Sequence, residues 1–414
     1  LNNNARLWRF FFFLRGNDMI IIYNMIRFIL YIIILLVSLF SKKKRDFFIR
    51  RFNNKMITDL SSAKILIHMS SVGELNLSEE LINQLLLKGE RIIISIMTDT
   101  GMSLATNKYS TNHNVEIIYF PLDDYRLLKN LFSKNKIKKV IVIETEIWPN
   151  LFYLSNKYST LYMVNARLTD KNLKKYMKIK WIIKSILKFP KYIMVQSRED
   201  MERYISILGK TDKIVLFNNL KYTVKYKTLT TQEKQLYYDN WVFEDRKVIV
   251  CGSIRDGEES LWIEAFNSIN HTKEWQLILV PRHLERVKDM KQKSGANSAL
   301  FSENIKADII IVDKMGVLRD LYQLSAIAFV GGTLVDIGGH SILEPLFYNN
   351  KPVIGKYYNN IKDIVEELRK IDMVSIVETK EDIINAVMKN DKIDSNNFFK
   401  SHNDLNKIIE ILYK

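Results

Sequence analysis

Short apolar runs alternate with amphipathic stretches along the chain from about Ala63 onward. The runs have the length of β-strands, and the stretches between them, such as SEELINQLLL, REDMERYISIL, EESLWIEAFNSI and IKDIVEELRK, have helical spacing. The predicted strands are KILIHM, RIIISIM, VEIIYF, KKVIVIE, LYMVN and KYIMVQ, followed after a polar stretch by KVIVCGS, WQLILVP, ADIIIVD, IAFVGG, KPVIG and MVSIV. This alternation is typical of βαβ units with parallel sheets, and its restart predicts an α/β protein with two doubly wound domains.

The polar stretch sets the predicted domain boundaries. It runs from 225 to 246 and is interpreted as a linker between a first Rossmann-like domain, 63–224, and a second one, 247–399. Two such domains in tandem place a cleft between the carboxyl ends of their sheets, where ligands of α/β proteins bind. The same pattern also suits tandem-domain dehydrogenases and periplasmic-type binding proteins. No G-x-G-x-x-G motif follows an early strand, which disfavours dinucleotide binding.

An apolar segment of 22 residues precedes the first domain. This segment, 19–40, reads MIIIYNMIRFILYIIILLVSLF and is interrupted mainly by Asn24 and Arg27. A helix of this length rises about 33 Å, enough to cross the hydrocarbon core of a bilayer, and the segment therefore predicts a membrane anchor. Arg27 is costly in mid-bilayer, so an interfacial helix lying in the membrane plane competes with a spanning one.

The residues that follow the anchor indicate its orientation. The basic linker, 41–62, carries six lysines and arginines between Lys42 and Arg51 against Asp46 alone. The positive-inside bias therefore places the two domains on the cytoplasmic side of the cell inner membrane. A cleaved signal peptide is disfavoured, because it would lack this basic flank and no small-residue cleavage site is present. Residues 1–18 are interpreted as a possible non-native upstream extension.

The net charge of +16 requires an anionic partner, which could be nucleic acid, an anionic membrane surface or a phosphorylated substrate. The charge is spread along the chain without a helix-turn-helix, zinc-finger or RNA-binding fingerprint, so nucleic acid is disfavoured. The single cysteine, Cys251, excludes an intramolecular disulfide and a cysteine-rich zinc site. The histidines show no paired spacing, and neither a metal site nor a cofactor is predicted.

Two loops of the first domain bring carboxylates to strand ends. Glu74 follows the first predicted strand, near the start of a helix, where it could take a proton from a sugar hydroxyl or complement the helix dipole. Glu144 and Glu146 are two residues apart, so in an extended chain they point to the same side. They suit a sugar-handling site or a solvated surface. Arg167, beyond a later strand, suits an anion or a structural ion pair.

Four loops of the second domain carry glycines, cations or a carboxylate at successive strand ends. Gly252 and Ser253 precede a helix whose first amides suit an anion, although such glycines also form plain turns. Glycine pairs further on allow backbone to approach a ligand closely, and a glutamate could bind two ribose hydroxyls. Together the loops predict a nucleotide site. The candidates are Arg282, His283, Gly316, Gly331, Gly332, Gly338, Gly339 and Glu344.

The order of these motifs resembles one family. The motifs are HMSSVGE, ETEIWPNL, NARLTDKNLKKY, VQSREDMERYISILG, NNLKY, CGSIRDGEE, VPRHLERV, DKMGVLRDLY and FVGGTLVDIGGHSILEP. They resemble the 3-deoxy-D-manno-octulosonic acid (Kdo) transferases of lipopolysaccharide biosynthesis, which glycosylate lipid A. The resemblance implies a GT-B fold, in which two Rossmann-like domains face each other across a cleft, with an N-terminal membrane-anchor helix. By analogy with such proteins, a C-terminal helix, 400–414, returns to the first domain.

The resemblance also implies a reaction, the inverting and metal-independent transfer of Kdo from CMP-Kdo to a lipid A precursor. It makes Glu74 the general base that deprotonates the acceptor hydroxyl. Glu146 and Lys221 are implied to support the transition state. The positions implied to contact CMP are Pro281, Arg282, Met315, Gly316 and Glu344.

Three positions near the nucleotide site depart from the family pattern. Ser341 stands where the family has Asn, Val317 where it has Glu, and Arg255 where it has His. We expect these changes to alter the contacts to the nucleotide rather than the reaction class. Two alternatives stay open. One is a GT-B glycosyltransferase with another nucleotide sugar or glycolipid acceptor, and the other is a non-enzymatic, membrane-tethered protein that binds anions.

Overall fold

The computed structural model describes residues 16–39, 41–52 and 64–414. Its chain divides into two compact units. Unit 1 extends to Val224 and takes back His402–Lys414, and unit 2 is Lys225–Ser401. Of the proposed extension, 1–18, the first fifteen residues lie outside the described residues, as does 53–63 of the basic linker.

Unit 1 contains a seven-stranded sheet in which every pair of neighbouring strands is parallel. The strand order is β3-β2-β1-β4-β5-β6-β7, so the direction of winding reverses between β1 and β4. The strands are β1 (Ile65–Met69), β2 (Ile92–Ile96), β3 (Val115–Tyr119), β4 (Lys139–Ile143), β5 (Thr160–Ala166), β6 (Tyr192–Val195) and β7 (Ile214–Leu216). The helices are α1 (Gly16–Leu39), α2 (Lys42–Phe52), α3 (Val72–Leu87), α4 (Asp99–Tyr109), α5 (Tyr125–Asn135), α6 (Pro149–Tyr158), α7 (Asp170–Lys178), α8 (Lys180–Ile186) and α9 (Arg198–Leu208), and a 3₁₀ turn spans Leu220–Thr223.

Alternate residues of these strands enter two separate apolar clusters. Leu66 of β1 packs in one cluster, while its neighbours Ile65 and Ile67 pack in the other. Because successive strand side chains point to opposite faces, both faces of the sheet are covered, which is why the strands are continuous apolar runs. The loops that leave β1 and β2 end in the N-caps Ser71 and Thr98, whose hydroxyls accept amide hydrogen bonds and start α3 and α4.

Unit 2 contains a second seven-stranded sheet, again parallel throughout, in the order β10-β11-β9-β8-β12-β13-β14. The strands are β8 (Lys247–Ile254), β9 (Trp275–Pro281), β10 (Ser298–Leu300), β11 (Ile309–Ile311), β12 (Ile327–Val330), β13 (Pro352–Ile354) and β14 (Ser375–Ile376). The helices are α10 (Thr231–Asn240), α11 (Glu258–Ile269), α12 (Val287–Ser294), α13 (Leu318–Tyr322), α14 (Leu343–Phe347), α15 (Lys362–Lys370), α16 (Lys380–Lys389) and α17 (Asn396–His402), with 3₁₀ turns at Asn270–Thr272, Leu284–Arg286, Phe301–Glu303 and Asn359–Ile361. Winding reverses between β8 and β12.

The prediction of two parallel-sheet α/β domains is confirmed. All twelve predicted runs lie on strands of the two sheets, whereas β7 and β10 went unpredicted. The segment 225–246, interpreted as a linker, belongs to unit 2 and carries α10. The last helix, α18 (Leu405–Tyr413), packs its apolar side chains into one of the two clusters of unit 1.

The apolar N-terminal segment forms α1, whose window Met19–Leu36 has a mean hydropathy of 2.4 and is long and apolar enough to cross a membrane. Only 11% of that window is buried in the protein. The helix therefore fits the predicted membrane anchor. Within the basic linker the structure adds a second helix, α2.

Candidate functional site

The loops at the winding reversal of unit 1 hold a group of carboxylates. Glu74 lies in the first turn of α3, directly after β1, and Glu144 and Glu146 follow β4. In doubly wound sheets this reversal opens a crevice at the carboxyl ends of the strands, where ligands bind. The two strands are neighbours in the sheet, so the fold brings these distant parts of the sequence together.

The Glu74 carboxylate is partly buried and held by its own loop. The backbone amide of Ser70 donates a hydrogen bond to it, while the Glu74 amide donates to the hydroxyl of the N-cap Ser71. Burial raises the pKa of Glu74 to about 7, against the Ser70 hydrogen bond and with the help of the negative charges of Glu146 and Glu144. A carboxylate with a pKa near neutrality is still populated in its ionised form at neutral pH and binds a proton more strongly than an ordinary glutamate, which suits a general base.

Glu146 is fixed by aromatic residues behind it. Trp148 Nε1 donates a hydrogen bond to Glu146 Oε2 at 3.0 Å, and His68 Nε2 lies 3.9 Å from the same oxygen. Burial lowers the pKa of His68 to about 3, so at neutral pH the imidazole is uncharged and this contact is not an ion pair. The rings of His68 and Trp148 pack on Phe120, at centroid distances of 4.1 and 5.0 Å.

Glu144 adopts a left-handed backbone conformation, with φ of 60°, rather than the extended one assumed from the sequence. Burial raises its pKa, and the nearby positive charge of Arg167 opposes that effect. Burial also raises the pKa of Glu146, and the charge of Glu144 adds to it. The charges of Glu144 and Glu146 therefore act on Glu74 and raise its affinity for a proton, which suits proton transfer.

A polar network positions the turn that carries Lys221. Asn165 Oδ1 accepts a hydrogen bond from the Leu220 amide at 2.9 Å, and Asn165 Nδ2 donates to Gln196 at 3.0 Å. Asn219 caps the turn by accepting from the Lys221 amide at 3.0 Å. The turn Leu220–Thr223 packs against α3, whose first turn contains Glu74. The motif NNLKY is thus in contact with the helix that follows the first strand.

Unit 2 contains a cavity of about 510 Å³ at the carboxyl ends of its strands. Its wall brings together seven of the residues predicted from the sequence, which are Ser253, Pro281, Arg282, Met315, Gly316, Ser341 and Glu344. Sequence reasoning did not name several others, among them Lys314, Arg319, Tyr322 and His340. Lys314 and Arg319 lie inside the motif DKMGVLRDLY, from which only Met315, Gly316 and Val317 were singled out.

Cations dominate the polar wall of this cavity. Arg282, Lys314 and Arg319 line it, against the single carboxylate of Glu344. Burial raises the pKa of Glu344, and Arg319, whose Nε lies 3.4 Å from Glu344 Oε1, opposes that shift. Burial and the surrounding arginines lower the pKa of His340 to about 4, so it is uncharged at neutral pH. The cavity therefore suits a ligand that carries both an anionic group and hydroxyls.

A carboxylate that the sequence analysis did not single out ties two loops of unit 2 together. Glu258, at the start of α11, is 1% exposed and accepts hydrogen bonds from four backbone amides. One amide belongs to Arg255, and the others belong to the consecutive residues Gly332, Thr333 and Leu334, at 2.8–3.0 Å. This carboxylate fixes the loops after β8 and β12, which flank the winding reversal of the sheet.

Three of the predicted glycines of unit 2, Gly331, Gly338 and Gly339, pack closely against protein atoms. A Cβ on Gly331 would lie 2.4 Å from the backbone oxygen of Ser253, so this strand end can approach its neighbour only without a side chain. Gly338 and Gly339 have φ of 96° and 88°, and a Cβ on Gly338 would lie 2.6 Å from the side chain of Asn360. In the described part of the chain, Gly338 and Gly339 lie outside the cavity wall.

The remaining predicted residues lie beside the cavity, not on its wall as far as the described chain shows. Val317 is 8% exposed, belongs to an apolar cluster and precedes α13. His283 Nε2 lies 2.8 Å from Arg255 Nη1. Arg255 Nε also donates to His340 Nε2 at 3.3 Å, so the arginine found in place of the family's histidine bridges two imidazoles.

Among the described residues one group of acids has ligand spacing for a cation, Asp256, Glu259 and Asp289. Arg286 contacts all three carboxylates at 2.6–2.7 Å, and Lys293 contacts Glu259 at 2.7 Å. These cations already neutralise the group.

Comparison with known proteins gives concordant results. The family described as 3-deoxy-D-manno-octulosonic-acid transferase (kdotransferase) matches residues 43–224. A 3-deoxy-D-manno-octulosonic acid transferase of Aquifex aeolicus is 30% identical over 330 residues, covering 78% of this chain and 84% of that protein. A bifunctional glycosyltransferase/methyltransferase of Fusobacterium nucleatum is 37% identical over 397 residues, covering 92% of this chain. The chain spans 61% of the length of that bifunctional relative.

A solved structure supports the fold alone. The UDP-GlcNAc 2-epimerase of Neisseria meningitidis, bound to UDP-GlcNAc, superposes with a TM-score of 0.58 at 12% identity. The superposition covers 84% of this chain and 99% of the epimerase.

Proposed function

The chain belongs to the Kdo transferase family of glycosyltransferases, and we propose that it transfers Kdo from CMP-Kdo to a lipid A precursor at the cytoplasmic face of the inner membrane. Unit 2 binds the donor in its cationic cavity, and unit 1 supplies the base. The observation that carries the proposal is the partly buried Glu74 carboxylate, held by the Ser70 amide with a pKa of about 7.

Transfer requires a proton acceptor because a sugar hydroxyl is a weak nucleophile. Glu74 takes the proton of the acceptor hydroxyl while the hydroxyl oxygen forms a bond to the anomeric carbon of Kdo. The bond from that carbon to the phosphate oxygen of CMP breaks on the opposite face, and its electron pair leaves with CMP. Attack from the face opposite the leaving group inverts the configuration.

The cationic cavity of unit 2 suits the donor and its leaving group. Arg282, Lys314 and Arg319 would offset the charge of the CMP phosphate and of the Kdo carboxylate, and this stabilisation grows as the phosphate departs. Glu344, beside them, would accept hydrogen bonds from the ribose hydroxyls. Glu146 and Lys221 are proposed to support the transition state from unit 1. The step uses these side chains without a metal ion.

The proposal is tested with the full chain in detergent, CMP-Kdo and a tetraacylated lipid A precursor, by mass spectrometry of the lipid. The expected result is a mass gain of one or more Kdo residues that persists in EDTA, and competition by CMP but not by UDP or GDP. Bound CMP without a mass gain would reject lipid A as the acceptor. The absence of both CMP binding and a mass gain would overturn the proposed reaction altogether.

A further inference from the structure

Two polar side chains in the first half of α1 form hydrogen bonds with the rest of unit 1. Tyr23 OH donates to Asp123 Oδ2 at 2.9 Å. Asn24 and Asn150 exchange two hydrogen bonds through their side-chain amides, each at 2.8 Å. Asp123 is fully buried and also accepts from the backbone amide of Asn150 at 3.0 Å. The hydrogen bonds of α1 therefore extend into the buried interior of unit 1.

Arg27, about one turn further along α1, makes the same kind of contact, and together Tyr23, Asn24 and Arg27 form a polar stripe on this helix. Its Nη1 pairs with Asp124 Oδ2 at 3.0 Å, and Nε and Nη2 donate to the Leu122 carbonyl at 3.2 and 3.1 Å. Arginine in the hydrocarbon of a bilayer is expensive unless its donors are satisfied. Here unit 1 satisfies them, at the surface of the protein.

The following helix, α2, returns to the same unit. The Arg51 side chain is buried, donates to the Met97 carbonyl and lies 3.4 Å from Asp99 Oδ1. The ring of Phe52 packs edge-on against Tyr31 of α1, with centroids 4.7 Å apart. Helices α1 and α2 thus form a hairpin, and each of its arms is attached to unit 1.

This attachment is incompatible with a helix that crosses the bilayer. Residues 19–31, about 18 Å of helix, carry the contacts to unit 1 and to α2. Only eight residues of α1 lie beyond Tyr31, about 12 Å, whereas the hydrocarbon core is about 30 Å thick. A crossing helix would also draw the charged surface at Asp124 into the lipid.

We propose that the hairpin of α1 and α2 seats unit 1 on one leaflet of an anionic membrane, with α1 lying in the interface and both its ends on the same side. The inference rests on the membrane location proposed above, and it selects the interfacial arrangement over the spanning one.

The faces left free by unit 1 fit a lipid surface. Apolar side chains are exposed on α1 from Ile21 to Leu36, over a broad face up to Leu30 and on every side of the helix from Ile32 to Leu36. Lys42, Lys44 and Arg45 follow at the start of α2 and are exposed. An apolar face next to a row of cations matches the acyl chains and anionic headgroups of one leaflet.

The hairpin of α1 and α2 lies at the edge of unit 1 that holds the proposed base. Its partner residues lie in the segments that follow β2, β3 and β4, on the side of the sheet where Glu74 follows β1. Thr98, between Met97 and Asp99, donates through its hydroxyl to the Ser70 carbonyl at 3.0 Å, and the Ser70 amide donates to Glu74. The membrane contact and the base are therefore joined through one loop.

The test measures the depth of α1 in the full chain, reconstituted in vesicles of phosphatidylcholine with phosphatidylglycerol. Spin labels are attached to cysteines that replace Ile21, Phe28 and Leu35, which are exposed along one face over about 21 Å of helix. The native Cys251 is fully buried and is replaced by alanine in every variant. Leu87→Cys, at a site that is 79% exposed on α3, serves as the aqueous control. Collision with oxygen and with a water-soluble nickel complex reports the depth.

The expected result is a similar, shallow depth at the three positions on α1. A maximum at the central position, about 10 Å deeper than the outer two, would establish a spanning helix and overturn the proposal. Exclusion of oxygen from all three labels would indicate a protein contact, such as a second copy, and would overturn it as well. Failure of the chain to bind the vesicles would reject both the interfacial hairpin and the membrane location. The proposed reaction would still be tested separately, by the transfer assay in detergent.

A matched variant tests the cause of the shallow depth. Asn24→Leu with Arg27→Leu removes the polar contacts and leaves α1 more apolar, and we expect the central label to move deeper than the outer two. Thermal melting monitored by circular dichroism confirms that the units remain folded. An unchanged flat profile in this folded variant would show that the polar stripe does not hold the helix, and would overturn that assignment.

Discussion

The replacement Glu74→Gln removes the proposed base while keeping its size and its acceptor for the Ser70 amide. General base catalysis is worth about 10²- to 10⁴-fold in rate, which corresponds to about 2.7–5.4 kcal/mol of transition-state stabilisation. We therefore expect kcat for Kdo transfer to fall by that factor, while the dissociation constant of CMP, measured by calorimetry, stays the same because the donor cavity belongs to unit 2.

The pH profile gives this prediction a second readout. Because the pKa of Glu74 is about 7, kcat/KM in the native protein should rise about tenfold per pH unit below that value and level off above it. The residual rate of Glu74→Gln should show no such step. Glu116→Gln, which changes an exposed carboxylate of the same unit, is the control and should retain the native profile.

The assay is transfer of radiolabelled Kdo to the lipid acceptor under initial-rate conditions from pH 5.5 to 9. Activity of Glu74→Gln within threefold of the native rate, or a native step near pH 7 in that variant, would refute the assignment of the base.

Three further predictions follow from the same contacts. Glu146→Gln removes a negative neighbour that raises the pKa of the base, so the midpoint of the pH profile should move below 7. Arg282→Ala removes a cation from the cavity wall and should weaken CMP binding by about 10- to 100-fold in calorimetry, whereas Lys288→Ala, on an exposed helix face, should not. Glu258→Ala leaves four amides, two of them buried, without their acceptor and should lower the free energy of unfolding by about 3–5 kcal/mol in urea titrations, and the exposed Glu264→Ala on the same helix should have little effect.

Much of the fold follows from local pattern. Strands buried on both faces must be continuous apolar runs, and for that reason the alternation of runs and helices identified twelve strands of the two sheets. The two that were missed, β7 and β10, are each three residues long and lie at an edge of their sheets. Length alone did not decide this, because β11, β13 and β14 are no longer than these two and were predicted; what defines β7 and β10 is their pairing with one neighbouring strand each.

A site residue could be predicted only where its charged side chain lies in the loop just after a strand. Glu74 and Arg282 meet that condition, because each directly follows a strand. Glu258 does not, since its acceptor role depends on amides more than seventy positions further along the chain. The positive φ of Glu144 was hidden for a similar reason, because local sequence favours an extended chain there and tertiary contacts override it.

The polar interruptions of the anchor illustrate the same limit. In the sequence, Asn24 and Arg27 are unfavourable residues in an apolar helix, and they leave both a spanning and an interfacial helix open. Their partners, Asn150 and Asp124, lie about a hundred residues away, and only the folded unit shows that the interruptions are contact points.

The shared edge of the hairpin and Glu74 has a kinetic consequence. An enzyme seated in this way holds its base at a constant height above the leaflet, so it meets its lipid acceptor by diffusion in two dimensions. The rate should then depend on the mole fraction of acceptor in the surface, not on its bulk concentration. Diluting the acceptor with inert lipid should slow turnover even when the total amount of acceptor is unchanged.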